Sequence, residues 1–239
     1  MSGECNMEPL TFTWKNKRPE QFGLFLYDLP TITASNEDMA QTSVPGMVGA
    51  LVAPQGTRGN ITITLTLSVL NKRGRVAYRE LSRWLRGSGE LIISETPDSY
   101  YEVLWMQRGD FERQLRKYGR VTVTCTCLPY EFAQTGKQRI ALPASGKVAN
   151  PFDEARPVYE IIGEGVCELT VNGSTMSANV GQNLTIDTAR QCAYRTDGTV
   201  QNTAVTGDYT KLYLHTGENA ISVSTGFTLR IIPHWGWFA

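Results

Sequence analysis

The stretch Arg120-Val-Thr-Val-Thr-Cys-Thr-Cys-Leu128 alternates strictly between apolar and polar side chains. A period of two over this length predicts a β-strand with one buried face rather than a helix. The predicted buried face carries Val121, Val123, Cys125 and Cys127, and the opposite face carries Arg120, Thr122, Thr124 and Thr126. The two thiols are therefore interpreted as part of a buried apolar row.

Residues 60–69 show the same alternation, with Ile, Leu or Val on one face and only Thr or Ser on the other. Exposed edge strands normally protect themselves with Lys, Glu or Pro. The uncharged face therefore predicts that this strand is central in its sheet or is covered by another subunit. The candidate contact residues on the two hydroxyl faces are Thr62, Thr64, Thr66, Thr122 and Thr124.

The segment before this strand is rich in glycine and proline between residues 43 and 60, and the preceding residues 30–41 are polar and predicted as a loop. Two interpretations stay open for residues 44–59: a long surface loop, or a protruding arm that contacts a neighbouring subunit. In the second case the contact residues are Val44, Pro45, Gly46, Met47 and Val48.

Turn and helix signals flank the alternating strands. The Thr96-Pro97-Asp98-Ser99 tetrapeptide has the composition of a turn that connects a strand at 91–93 to one at 100–105. Apolar residues at three-and-four spacing predict a helix over about residues 73–86, which Gly87 ends.

The composition changes after residue 133, where residues 134–150 are small, polar and turn-rich, as in an interdomain linker. The sequence therefore predicts one β domain over residues 1–133 and a second over 151–239. Asn172-Gly173 predicts a two-residue hairpin turn. Many short strands separated by turns indicate a sandwich or jelly roll. The predicted strands are 158–162, 167–171, 174–180, 184–186, 193–195, 211–214, 220–224 and 227–232.

The length, the net charge and the cysteine count restrict the class of protein. The chain of 239 residues has a formal net charge of zero, which argues against a dedicated nucleic-acid binder. Five cysteines, an odd number, favour reduced thiols. The first residues do not resemble a secretory signal, and no apolar run is long enough to cross a bilayer. We therefore expect a protein that folds in a cytoplasm and does not enter a membrane.

Catalytic and cofactor motifs are missing from the sequence. The two histidines lie outside any Cys/His pattern with metal-ligand spacing, and no nucleophile elbow or Walker-type loop occurs. A glycosidase pair would have to come from Asp98, Asp110, Glu112 and Asp187, each of which is better explained by a turn or an ion pair. We expect no enzymatic activity, no cofactor and no metal.

Several short motifs follow one another in a characteristic order. They are Trp84-Leu85, Pro97-Asp98, Tyr100-Tyr101, Gly109-Asp110, Glu112-Arg113, Cys127-Leu128-Pro129-Tyr130, Asn150-Pro151, Ala155-Arg-Pro157, Gly163-x-Gly165 and Val171-Asn-Gly173. This series resembles the distal tail protein (Dit) family of siphophages that infect Gram-positive bacteria. The resemblance implies an N-terminal β-sandwich with one helix that closes into a hexameric ring. It also implies a C-terminal jelly-roll β-sandwich similar to galectins or carbohydrate-binding modules.

The same resemblance implies a structural role at the tail tip of the virion, after assembly in the cytoplasm of the bacterial host. The ring would be the hub of the baseplate and would join the tail tube protein to the tail-associated tip protein. Further expected partners are the tape measure protein and a receptor-binding protein, with DNA passing through the ring without specific binding. The alternative is a lectin-like adhesin that binds cell-wall carbohydrate, and a wall-degrading glycosidase is a third reading. Mass measurement in solution, a glycan array and sugar release from cell walls separate the three.

Overall fold

The computed structural model describes residues 10–70, 80–115 and 118–239. The chain is mainly β, and its sheets form barrel-like sandwiches, as the sequence predicted. It divides into two compact units: Met1–Glu131 with Phe238–Ala239, and Phe132–Trp237. The second unit is therefore an insertion in the sequence of the first. No helix in the described ranges is long and apolar enough to cross a membrane.

The strands of the first unit are β1 Phe12–Trp14, β2 Leu24–Leu26, β3 Thr31–Ile32, β4 Glu37–Ser43, β5 Ala50–Arg58, β6 Ile61–Leu70, β7 Gly89–Ile93, β8 Ser99–Leu115 and β9 Tyr118–Ala133. They form one antiparallel sheet in the order β1-β7-β8-β9-β6-β2, in which β3 also pairs with β6. Strands β4 and β5 pair with each other in a separate two-stranded sheet. A 3₁₀ turn, Pro19–Phe22, precedes β2.

The two alternating stretches are adjacent strands, β6 and β9, and β6 is central, with β9 on one side and β2 and β3 on the other. Every apolar residue of the alternation from Ile61 to Leu67 and from Val121 to Cys127 is at most 1% exposed. These side chains form the core of the first unit together with Phe12, Trp14, Leu24, Leu81, Trp84 and Leu91. The prediction of buried apolar rows, including Cys125 and Cys127, is confirmed.

The helix predicted over residues 73–86 is described only from residue 80 onward, and residues 80–84 are helical. Gly87 follows with a φ of +83°, a backbone conformation that suits glycine at a helix end. Two buried hydrogen bonds hold this helix end on β1. The Trp14 indole donates to the Trp84 carbonyl at 3.0 Å, and the Trp84 indole donates to the Trp14 carbonyl at 3.0 Å.

Two predictions for the first unit need correction. Residues 30–41, predicted as a loop, contain β3 and most of β4. Because β4 is exposed along nearly its whole length, its sequence shows no alternation of apolar and polar residues that would have marked a strand. The strand predicted at 100–105 continues as β8 to Leu115.

The second unit contains β10 Ile140–Leu142, β11 Ser145–Asn150, β12 Val158–Val171, β13 Ser174–Asp187, β14 Cys192–Tyr194, β15 Val205–Thr206, β16 Gly217–Val223, β17 Thr228–Ile232 and the start of β18 Gly236–Phe238. Its 3₁₀ turns are Gln134–Lys137, Asn202–Ala204 and Tyr209–Leu212. The main path of its sheet is β10-β17-β12-β13-β14, while β16 joins β11 to β12. The two-residue turn between β12 and β13 is confirmed, with φ of +50° at Asn172 and +84° at Gly173.

The predicted linker over residues 134–150 is wrong. This stretch contains a 3₁₀ turn and the strands β10 and β11, which pair with β17 and β16 inside the second unit. The strand predicted at 211–214 is also wrong, because Tyr209–Leu212 is a 3₁₀ turn, in which the Thr210 amide donates to the Asp208 side chain.

Candidate functional site

Strands β4 and β5 form a hairpin whose tip contains all five residues predicted for the protruding arm. The strands pair from Glu37 opposite Arg58 to Ser43 opposite Ala50, with one irregularity near residue 38. The connecting residues 44–49 contain a turn in which the Met47 amide donates to the Val44 carbonyl at 3.1 Å. Val44, Pro45, Gly46, Met47 and Val48 are all exposed.

The hairpin is apolar and exposed on both of its faces. Residues 39–57 contain no Asp, Glu, Lys or Arg, although 19% of the whole sequence is charged. At that frequency a stretch of 19 residues would carry between three and four charges. The exposed apolar side chains are Met39 50%, Val44 38%, Met47 48%, Val48 101%, Leu51 54% and Val52 56%.

Such a surface is unusual for a chain in water. Large exposed apolar patches mark contact sites, and an isolated two-stranded hairpin is only marginally stable. Among the described strands, β4 and β5 pair only with each other, so no second sheet supports the hairpin. The hairpin therefore has the properties of a segment that is stabilised by docking on another surface.

The predicted threonines form a second, separate surface on the outer face of β6 and β9. In the observed register Thr62 lies opposite Thr126, Thr64 opposite Thr124, and Thr66 opposite Thr122. The structure thus brings all five predicted threonines into two parallel rows of hydroxyl groups. Thr122 is exposed and the others are half-buried within the single chain.

The threonine rows and the hairpin are connected at one point. The Thr33 amide donates to the Thr62 carbonyl at 3.0 Å, and the Thr62 amide donates to the Thr33 hydroxyl at 2.7 Å. The chain then runs from Thr33 directly into the hairpin, which begins at Glu37. The hairpin therefore leaves the sheet at the end of the threonine rows that is marked by Thr62.

The structure also shows an apolar edge that the sequence analysis missed. Four large apolar side chains on β2, on β3 and on the segment that joins them are exposed: Phe25 41%, Tyr27 49%, Leu29 67% and Ile32 39%. Asp28 is the only charged residue in this stretch. The Arg120 guanidinium lies 3.6 Å from the centre of the Tyr27 ring and covers part of it. The sequence signal was an apolar run at residues 22–29, but nothing local shows that this run is an open sheet edge.

Comparison with solved structures shows a similarity that extends over nearly the whole chain. Seven solved chains match this one. One is the crystal structure of SPP1 Dit (gp 19.1), described as a paradigm of the hub adsorption apparatus in phages that infect Gram-positive bacteria. The similarity has a TM-score of 0.67 at 12% sequence identity and covers 94% of this chain and 98% of that chain. The chain has the fold of a distal tail protein. No family profile and no curated protein matches the sequence.

The similarity to the distal tail protein extends over both units. Because it covers 94% of the chain, it includes most of the first unit and most of the inserted second unit. The predicted resemblance to the Dit fold is therefore confirmed at the level of structure. At 12% identity the likeness establishes the fold, and the role of the protein is argued separately below.

The structure describes several of the residues that were considered for catalysis or metal binding. Within residues 10–70, 80–115 and 118–239, no group of three or more His, Cys, Asp or Glu side chains is placed to hold a metal ion. Burial raises the pKa of the Cys127 thiol to about 12 and also raises that of Cys125, so both thiols are unreactive near neutral pH. Of the four carboxylates considered for a glycosidase, Asp187 accepts a hydrogen bond from the Arg190 amide at 2.9 Å, and Asp98 is exposed in the turn before β8.

Proposed function

We propose that the protein is a structural, non-enzymatic component of a phage tail: a distal tail protein whose subunits form a hexameric ring. In this proposal the ring is the hub of the baseplate at the tail tip of the virion. It joins the tail tube protein to the tail-associated tip protein and leaves a passage for DNA. The tape measure protein and a receptor-binding protein are further partners, and assembly takes place in the host cytoplasm.

The observation that carries the proposal is the extent of the fold similarity. A match to a phage hub protein over 94% of this chain and 98% of that chain involves two units and their order, not one common β-sandwich. Similarity over a single β-sandwich would be weak evidence for a function, because such folds serve many unrelated functions. A two-unit arrangement in which the second unit interrupts the first is a much rarer feature.

The exposed surfaces of the first unit support assembly into a ring. A closed ring needs two different, complementary faces on each subunit. We assign the hairpin to one of these faces. We assign the threonine rows to the other face, which a neighbouring subunit covers, together with the apolar edge formed by Phe25, Tyr27, Leu29 and Ile32. Both sets are nearly free of charge, so their association carries little electrostatic desolvation cost.

The experiment that tests this proposal is a mass measurement of the purified chain by light scattering and native mass spectrometry. A hexamer has six times the chain mass of 26.6 kDa, and negative-stain electron microscopy should show rings with a central opening. A matched variant replaces residues 39–57 by a short Gly-Ser linker and should remain a single chain. A 26.6-kDa species at every concentration without rings on the grids, or rings formed by the variant, would refute the assignment.

A further inference from the structure

Both ends of the hairpin contact the same two residues, Phe238 and Ala239. Ser35 precedes β4, and Arg58 is the last residue of β5. The Arg58 guanidinium lies 3.9 Å from the centre of the Phe238 ring and donates to the Ser35 carbonyl at 3.1 Å. The Ser35 amide in turn donates to the Ala239 carbonyl. Residues 238 and 239 therefore contact both strands of the hairpin where they leave the sheet.

Phe238 and Ala239 are themselves fixed on the body of the first unit. Their strand, β18, pairs with β9. The Phe238 ring lies 4.8 Å from the Tyr130 ring, and the Ala239 amide donates to the Pro129 carbonyl at 3.2 Å. Ala239 also packs against the buried core of this unit. The pair thus links β9, which is part of the main sheet, to the root of the hairpin.

We propose that Phe238 and Ala239 form a clamp that sets the direction in which the hairpin projects. A two-stranded hairpin without a core of its own can be oriented only through its root. At this root the described contacts include the hydrogen bonds between Thr33 and Thr62, the placement of the Arg58 guanidinium over the Phe238 ring, and the backbone bond from Ser35 to Ala239. The last two contacts act at the two ends of the hairpin, and both are made by residues 238 and 239. Arginine is suited to this position because its planar group stacks on an aromatic ring while its N–H groups still donate hydrogen bonds.

The clamp residues also follow the second unit directly along the chain. The chain enters Phe238 directly from Trp237, the last residue of the second unit. The consequence for assembly rests on the proposed function, whereas the effect on the orientation of the hairpin does not.

The test measures the distance from the hairpin tip to the sheet in a chain that cannot assemble. Spin labels are attached at Val48→Cys and Thr122→Cys, two exposed positions, after replacement of Cys5 and Cys192 by serine, in a Leu51→Asp background. Pulsed electron resonance should give one narrow distance distribution for this parent chain. Phe238→Ala should broaden the distribution about twofold or more, because removal of the ring frees Arg58. Arg58→Lys should also broaden the distance distribution, since lysine keeps the charge but lacks the planar group that lies over the Phe238 ring.

Trp237→Ala is the matched control, one position away on the same strand. The Trp237 ring packs edge-on against Phe152 at 4.7 Å within the second unit, and its loss should leave the distribution narrow. An equally narrow distribution in Phe238→Ala, or equal broadening in Trp237→Ala, would overturn the clamp. In the otherwise unmodified chain, Phe238→Ala should lower the ring fraction, and unchanged ring formation would show that the clamp does not serve assembly. If the wild-type chain formed no rings, the hub proposal would be refuted, and the result of the distance measurement would still hold.

Discussion

Replacement of Val48 and Leu51 by aspartate introduces two carboxylates into the apolar hairpin. Both side chains are exposed in the single chain, at 101% and 54%. They lie in a hairpin that pairs with no other described strand, so their replacement removes no contact from the core of either unit. The substitutions should therefore affect association between chains and leave the folding of each chain intact.

The expected loss of association free energy follows from the exposed fractions of the Val48 and Leu51 side chains. Complete burial of a Val or Leu side chain contributes about 1.5–3 kcal/mol. Docking of a fully exposed Val48 and a half-exposed Leu51 thus recovers about 3 kcal/mol at each subunit contact. A buried carboxylate without a partner adds a desolvation cost of several kcal/mol. Since about 1.4 kcal/mol is a factor of ten, the association constant of each contact should fall more than about 100-fold.

The assay is native mass spectrometry over a concentration series, with the thermal unfolding midpoint as a check on folding. The double variant should appear at 26.6 kDa under conditions in which the wild-type chain forms a ring. Val166→Asp is the matched control, because Val166 is a 70% exposed valine on β12 of the second unit. This control should keep the ring, as its position lies outside the proposed contact surfaces.

The reasoning fails if the double variant assembles as the wild type does. It also fails if Val166→Asp disrupts the ring to the same degree, since the effect would then come from added charge in general. A lowered unfolding midpoint of the single chain would show that the hairpin is part of a core and not a free docking segment.

Three further variants test the fold and the threonine surface. Trp84→Phe keeps an aromatic ring but removes the indole that donates to the buried Trp14 carbonyl, and should cost about 1–3 kcal/mol of unfolding free energy in urea. Gly136→Ala places a Cβ 2.9 Å from a backbone nitrogen and should destabilise by about 1–3 kcal/mol in the same measurement. Thr64→Glu combined with Thr124→Glu puts two like charges directly opposite each other. This pair should abolish the ring while destabilising the single chain by only about 1 kcal/mol, and an intact ring would show that the threonine rows face solvent.

The sequence predicted the parts of the fold that are determined by local patterns. The alternation at residues 60–69 and 120–128 gave two strands and their buried faces, because a sheet with one covered face requires a period of two. The Asn172-Gly173 dipeptide gave the turn between β12 and β13, since both residues adopt positive φ readily. In each case the deciding property lies within a few residues of the chain.

The predictions that failed depended on distant partners. Ile140–Leu142 and Ser145–Asn150 resemble a linker in composition, and they are strands because β17 and β16 provide hydrogen-bond partners more than 60 positions away. The open edge at Tyr27 was missed for the same reason, because only the strand order shows that no described strand pairs beyond β2. The clamp of Phe238 on Arg58 joins residues from opposite ends of the sequence and has no local signal.

The proposed contact surfaces carry few charges, and this determines how the ring should respond to salt. The hairpin from residue 39 to 57 has no charged side chain, and the threonine rows pair hydroxyl groups with hydroxyl groups. Contacts held by ion pairs weaken when salt screens them, whereas apolar burial is not screened and is strengthened by salts such as sulfate. The ring should therefore persist in about 1 M sodium chloride, where the screening length is about 3 Å. If light scattering showed dissociation between low and high salt, charged residues outside these surfaces would have to hold the ring, and the assignment of the hairpin as its main contact would be wrong.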